Sequence, residues 1–77
     1  MTFKEFLLSR RASHDAQGDF VRLALSDPNL PDVTEWQLLR PYFIDRHGSE
    51  GIFEAGGDVW KEFQASERKA LRQARLL

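Results

Sequence analysis

The sequence predicts an all-α domain of four helices, the last of them the longest. Three observations carry this: apolar residues recur at helical spacing throughout, proline and glycine breaks cut the chain into four pieces, and no segment shows the alternation of a strand. At 77 residues the chain is one small domain, 1–77, near the lower limit at which a single hydrophobic core folds unaided. Its 42% hydrophobic content, with two Trp, six Phe and one Tyr, supplies the large apolar groups that disordered segments lack.

The first helix is expected over Phe3–Arg10. Thr2 precedes Phe3, Phe6 and Leu7 at spacing i, i+3, i+4, Glu5 completes a capping box, and Met1 can staple onto Phe6. Arg10 and Arg11 then suit the negative C-terminal end. The second helix spans Asp15–Ser26, with Ala16, Phe20, Leu23 and Ala24 on one face, and Gly18 is expected to fray its first turn. Pro28 ends it, and Asp27–Asp32, with Pro28 and Pro31, forms a restricted loop.

Thr34 and Gln37 form the capping box of a third helix, with Val33 and Leu38 as its staple and Trp36, Leu39, Tyr42 and Phe43 facing inward. Pro41 removes a backbone donor inside this pattern, which predicts a kink or short break near Arg40. A polar turn is expected from Arg46 to Gly51. The last helix starts between Ile52 and Asp58, where Gly56 and Gly57 blur the boundary, and runs to about Ala74. Its apolar stripe comprises Val59, Trp60, Phe63, Ala70, Leu71 and Ala74, interrupted by Glu67. In the core, Trp60 and Phe63 are expected to pack against Phe6, Phe20 and Trp36.

Taken in order, Phe3, Phe6, Leu7 and Arg10, then Asp19, Phe20, Leu23, Ala24, Asp27 and Pro31, then Trp36, Leu39 and Tyr42, and finally Trp60 and Phe63 resemble the YozE-like family of short bacterial proteins. The resemblance covers about residues 2–64 and implies a compact four-helix domain similar to sterile alpha motif domains. Folds of that kind serve as protein-interaction, polymerising or nucleic-acid-binding modules. The sequence departs from the pattern at Pro41 and in the basic helical extension over residues 64–77.

Charge is segregated along the chain although the net charge is only −1. Residues 66–77 hold Arg68, Lys69, Arg72 and Arg75 against Glu67, a net of +3, while residues 1–65 hold seven cations against eleven anions, a net of −4. At about 100° per residue, Lys61, Arg68, Arg72 and Arg75 fall on one band of the last helix. Lys61, Arg68, Lys69, Arg72 and Arg75 are therefore the candidate interaction surface. An acidic cluster of Asp45, Glu50, Glu54 and Asp58 offers a complement on a second copy.

Other function classes find little footing. His14 beside Asp15, and Asp45, His47 and Glu50 in the expected polar turn, are the nearest approach to a catalytic or metal-binding group. Their spacing matches no metal-binding loop. Ser9, Ser13, Ser26, Ser49 and Ser66 lack a nucleophile elbow, and no glycine-rich loop joins a strand to a helix. The absence of Cys excludes disulfides and thiolate chemistry and suits a cytoplasmic setting. No apolar run is long enough to span a membrane or serve as a secretory signal. A helix-turn-helix reader is excluded, because the would-be recognition helix sets Asp15, Asp19 and Asp27 against Arg22 alone. The expectation is a non-catalytic module without cofactor or metal that associates with protein, either an unknown partner or itself. The alternative is nucleic-acid (DNA) binding through the basic face.

Overall fold

The computed structural model describes the backbone of residues 2–76 and the side chains of residues 2–75. It contains α1 (Phe3–Ser9), α2 (Ala16–Ser26), α3 (Trp36–His47) and α4 (Glu50–Leu76), with no strand among the described residues. Four helices with the last one longest is the architecture the sequence predicts. The expected Met1 staple lies outside the described residues.

The capping box on α1 forms: the Glu5 amide donates to Thr2 Oγ1 at 3.1 Å and the Thr2 amide to Glu5 Oε1 at 3.4 Å. The helix stops at Ser9, one residue before the predicted end, because Arg10 turns extended while its amide donates to the Leu7 carbonyl. Arg10 then reaches α4, donating from Nε to Glu62 Oε2 at 2.7 Å and from Nη2 to Gln17 at 3.1 Å.

Asp15 caps α2 through the Gly18 amide at 2.9 Å, so the first turn is fixed rather than frayed. Gly18 is buried because the preceding chain folds back over it; a Cβ there would lie 1.6 Å from the Ser13 carbonyl oxygen. The expected apolar face is rotated. Val21 is fully buried beside Phe20 and Ala24, while Ala16 is exposed.

The start of α3 corrects the expected cap. Glu35, with no side-chain capping bond, occupies the N-cap, and Leu38 is 58% exposed, so neither the Thr34–Gln37 box nor the Val33–Leu38 staple sets the boundary. Tertiary contact sets it instead, through Trp36 stacked on Phe53 at 4.4 Å and edge-on to Phe20 at 5.4 Å. Pro41 does not break α3, which runs unbroken to His47. Pro41 and Gln37 are both exposed, so the lost helical hydrogen bond lies on the outer side of α3, while Leu39 and Phe43 hold the helix to the core.

The predicted Arg46–Gly51 turn shrinks to Gly48 and Ser49. Gly48 closes α3 at φ 66°, a left-handed conformation that favours glycine, with its amide donating to the Ile44 carbonyl at 2.8 Å. Ser49 opens α4 at once, accepting the Ile52 amide on its hydroxyl at 3.3 Å. The start at Glu50 is earlier than expected, and Gly56 and Gly57 are helical. They are sites of close approach: a Cβ on Gly56 would lie 2.5 Å from the Phe20 ring, and one on Gly57 would lie 3.2 Å from Trp36 Nε1.

The core sits where α4 crosses α2, with α1 and α3 on its flanks. Leu7, Phe20, Val21, Ala24, Leu39, Phe43 and Val59 are fully buried. Trp60 packs on Phe3 at 4.8 Å and Trp36 at 5.9 Å, and Phe63 packs on Phe6 at 5.6 Å, close to expectation. Phe20 joins this group through Trp36 and Phe3.

Candidate interaction surface

Among the described residues one charged side chain, Asp27, is buried, and the groups gathered around it work as a clamp. Asp27, 3% exposed at the end of α2, accepts from the Tyr42 hydroxyl at 2.8 Å and the Asn29 amide at 3.0 Å. His47 Nε2 lies 3.3 Å from the same carboxylate and Arg46 Nε 3.9 Å from it. Burial pushes the Asp27 carboxyl up, yet these hydrogen bonds and the Arg46 charge hold it below the ordinary carboxylate value. Burial and the bond to Asp27 raise the Tyr42 hydroxyl. His47, placed by sequence in a polar turn, is thereby committed to joining α3 to the end of α2.

Asp15 is likewise lowered, first by the Ser13 hydroxyl and then by the Gly18 amide. A folded-state value below the unfolded one means that ionised Asp15 and Asp27 stabilise the fold above the unfolded value of 3.8, and that this contribution disappears as pH falls through their depressed values. Urea titrations between pH 7 and pH 2.5 are therefore expected to show stability falling below about pH 4. In the Asp27→Asn variant, stability is expected to be lower at pH 7 and to change less over the acid range. An unchanged acid dependence in that variant would contradict the assignment.

The remaining catalytic candidates are dispersed. His14 is exposed, Glu50 pairs with Arg40, and Asp45 is exposed on α3. Among the described residues no three His, Cys, Asp or Glu side chains are grouped so that they could hold a metal ion.

The surface of α4 divides at Phe63. Before it, Phe53, Gly56, Val59 and Trp60 are buried; after it, the residues from Gln64 to Arg75 are exposed, apart from half-buried Glu67. Leu71 is 63% exposed, and Ala70 and Ala74 beside it are exposed too. Twenty-seven residues make a helix about 40 Å long, close to the 44 Å longest dimension of the whole fold.

Each predicted surface residue, Lys61, Arg68, Lys69, Arg72 and Arg75, is exposed, and none is ion-paired among the described residues. Arg68, Arg72 and Arg75 gather with Leu71 around a depression of about 260 Å³. Lys61 stands apart, in a cleft of about 530 Å³ between the start of α3 and α4. Lys69 lies about 80° around the helix from Lys61, off the shared band.

That cleft is absent from the sequence reading. Trp36, Phe53, Gly57 and Trp60 line it, and its rim sets Glu35, Glu54 and Asp58 beside Arg40 and Lys61. The expected acidic cluster is thus split: Glu54 and Asp58 flank the cleft, whereas Asp45 and Glu50 do not. Gly57 carried the missed signal, since a glycine inside a helical pattern beside a tryptophan marks a close approach as readily as a break.

The fold and this surface define a small all-helical domain that presents an uncovered amphipathic helix end. Comparison with protein-family models, with curated proteins and with solved structures finds no match. No helix among the described residues is long and apolar enough to cross a membrane.

Proposed function

We propose that the chain is a non-catalytic interaction module that associates with protein through the distal half of α4. The observation that supports this most is the division at Phe63: a continuous helix carries Leu71, Ala70 and Ala74 beyond the core and leaves them uncovered. Helices in proteins draw most of their stability from tertiary packing, so a stretch without it is held only weakly by its own domain. A partner that covers the narrow apolar stripe and meets Arg68, Arg72 and Arg75 with acidic groups supplies what the domain does not. Membership of the YozE-like family, with a sterile-alpha-motif-like fold and a cytoplasmic location, belongs to the same proposal, on the order of core residues from Phe3 to Phe63 and the cysteine-free composition.

Removal of residues 66–77 tests the proposal. The shortened chain is expected to keep its cooperative melt, with a melting temperature close to that of the full chain, because among the described residues every fully buried side chain precedes residue 66. Sedimentation is expected to show that it has lost the association of the full chain. Collapse of the shortened chain would make this stretch part of the core and remove the proposal's support.

Nucleic-acid binding is the second reading, favoured by five exposed cations within fifteen residues, none of them ion-paired among the described residues. Four phosphate contacts correspond to a slope of about −3.6 in log affinity against log salt, flattened by about two charges in an Arg68→Ala, Arg72→Ala double variant. Undetectable binding to duplex and single strands at low salt would eliminate it. Protein is preferred because Leu71 amid the arginines adds nothing to phosphate contact, and because Glu54 and Asp58 on the same helix would repel a nucleic-acid backbone running along it.

A further inference from the structure

The charges of α4 are ordered in a way that neither half reveals alone. At about 100° per residue, Glu54, Lys61, Arg68 and Arg72 fall within about 40° of one another around the helix, with Asp58 about 40° further round. Apart from Lys61 beside its midpoint, this face is acidic before Phe63 and basic after it. Glu54 and Arg72 each stand nine residues from Phe63, and Asp58 and Arg68 each stand five residues from it. These four charges are their own complement when the face is reversed end for end, and Lys61 then falls level with Ala65.

We infer that two copies of this chain pair through antiparallel α4 helices on a two-fold axis at the level of Phe63, an inference that rests on the proposed association through the distal half of this helix. In that arrangement Arg72 of each copy faces Glu54 of the other, and Arg68 lies level with Asp58 and reaches it across the seam. The four residues are exposed and have no ion-pair partner among the described residues. Isologous pairing makes each contact twice, so the two pairs become four. A parallel pair would set acid against acid and base against base.

The cleft provides the apolar half of the contact. Leu71 stands eight residues after Phe63, and eight before it is the level of Ala55, where Phe53 and Gly57 line the cleft beside Trp36. Leu71 and Phe53 lie on the same side of the charged line, each about 80° from Lys61. A two-fold axis perpendicular to the paired helices keeps that side common to both, so Leu71 of one copy and the Trp36 cleft of the other come to the same level on the same side of the pair. A single chain cannot make this contact within itself. The α4 helix is continuous, and Leu71 lies about 20 Å along it from Gly57. The Leu71 side chain and the cleft can thus meet only between copies.

Charge reversal tests the pairing, using sedimentation velocity at low salt. The full chain is expected to dimerise, and R68E/R72E and E54R/D58R are each expected to weaken dimerisation by about 100-fold, with unchanged helical circular dichroism, since all four residues are exposed. Mixing the two variants is expected to restore a dimer, because one then presents acidic groups at positions 54, 58, 68 and 72 and the other basic groups at the same four positions. The fourfold variant E54R/D58R/R68E/R72E is expected to dimerise alone. A full chain that stays monomeric at high concentration, or variants that fail to rescue one another, would overturn the inference. A photoreactive benzophenone side chain in place of Leu71, activated in the native lysate, separates this from failure of the underlying reading. Crosslinking to Trp36 or Gly57 of a second copy supports the inference. Crosslinking only to a different protein overturns it and leaves the association surface standing, and no crosslink to any protein overturns both.

Discussion

Trp60→Ala is expected to leave the domain largely unfolded. The Trp60 ring is 6% exposed and sits between Phe3 at 4.8 Å, Phe63 at 5.3 Å and Trp36 at 5.9 Å, so its removal opens a void at the meeting point of α1, α3 and α4. Truncation of a buried tryptophan costs about 3 to 5 kcal/mol. A 77-residue domain has a total stability of roughly 4 to 12 kcal/mol, so the loss takes a large share of it. Urea unfolding followed by circular dichroism is the measurement, with Leu71→Ala as its control. Leu71 is exposed, and its replacement is expected to shift stability by no more than about 0.5 kcal/mol. Equal effects from the two substitutions would refute the division of α4 at Phe63.

Gly18→Ala is the second large effect, and propensity alone predicts its opposite. Alanine in a helix is ordinarily worth up to about 1 kcal/mol over glycine. Here the added methyl meets the Ser13 carbonyl oxygen at 1.6 Å and the Ser13 nitrogen at 2.8 Å, which are backbone atoms that cannot swing aside. Relief requires opening the turn before α2, with loss of the Asp15 cap on the Gly18 amide and of the bond from Arg22 Nη1 to the Ser13 carbonyl. Overpacking and a lost cap together cost about 2 to 4 kcal/mol. Gly51→Ala provides the contrast, because nothing lies within 4 Å of its added methyl, and it is expected to be neutral or stabilising by up to about 1 kcal/mol. Thermal melts of the two variants should move in opposite directions, and a Gly18→Ala melt at or above the wild-type temperature would show that the turn is free to rearrange.

These two glycines also show what the sequence made legible and what it did not. Local signals were readable where local chemistry decides, as in the Thr2–Glu5 box on α1, the stop before Pro28, and the inward set of Leu39 and Phe43. They misled where tertiary packing decides. Thr34 and Gln37 carry a good capping pattern, yet the stacking of Trp36 on Phe53 coincides with a start one residue later. Gly56 and Gly57 look like breakers, and only the approach of Phe20 and Trp36 explains why a long helix carries them. The same holds for the surface. Exposure of Lys61, Arg68, Lys69, Arg72 and Arg75 follows from helical periodicity within one segment, whereas the cleft needs α3 placed against α4. Phe53, to which the sequence reading assigns no role, is 3% exposed and lines that cleft.

The central claim is that the distal half of α4 is ordered by a partner rather than by its own domain, and amide hydrogen exchange along this helix tests it most directly. The predicted result is slow exchange from Phe53 to Phe63 at every protein concentration, with exchange from Ala65 to Arg75 fast in dilute solution and slowed as concentration rises or a partner is added. Protection that is uniform along α4 and independent of concentration would contradict the claim.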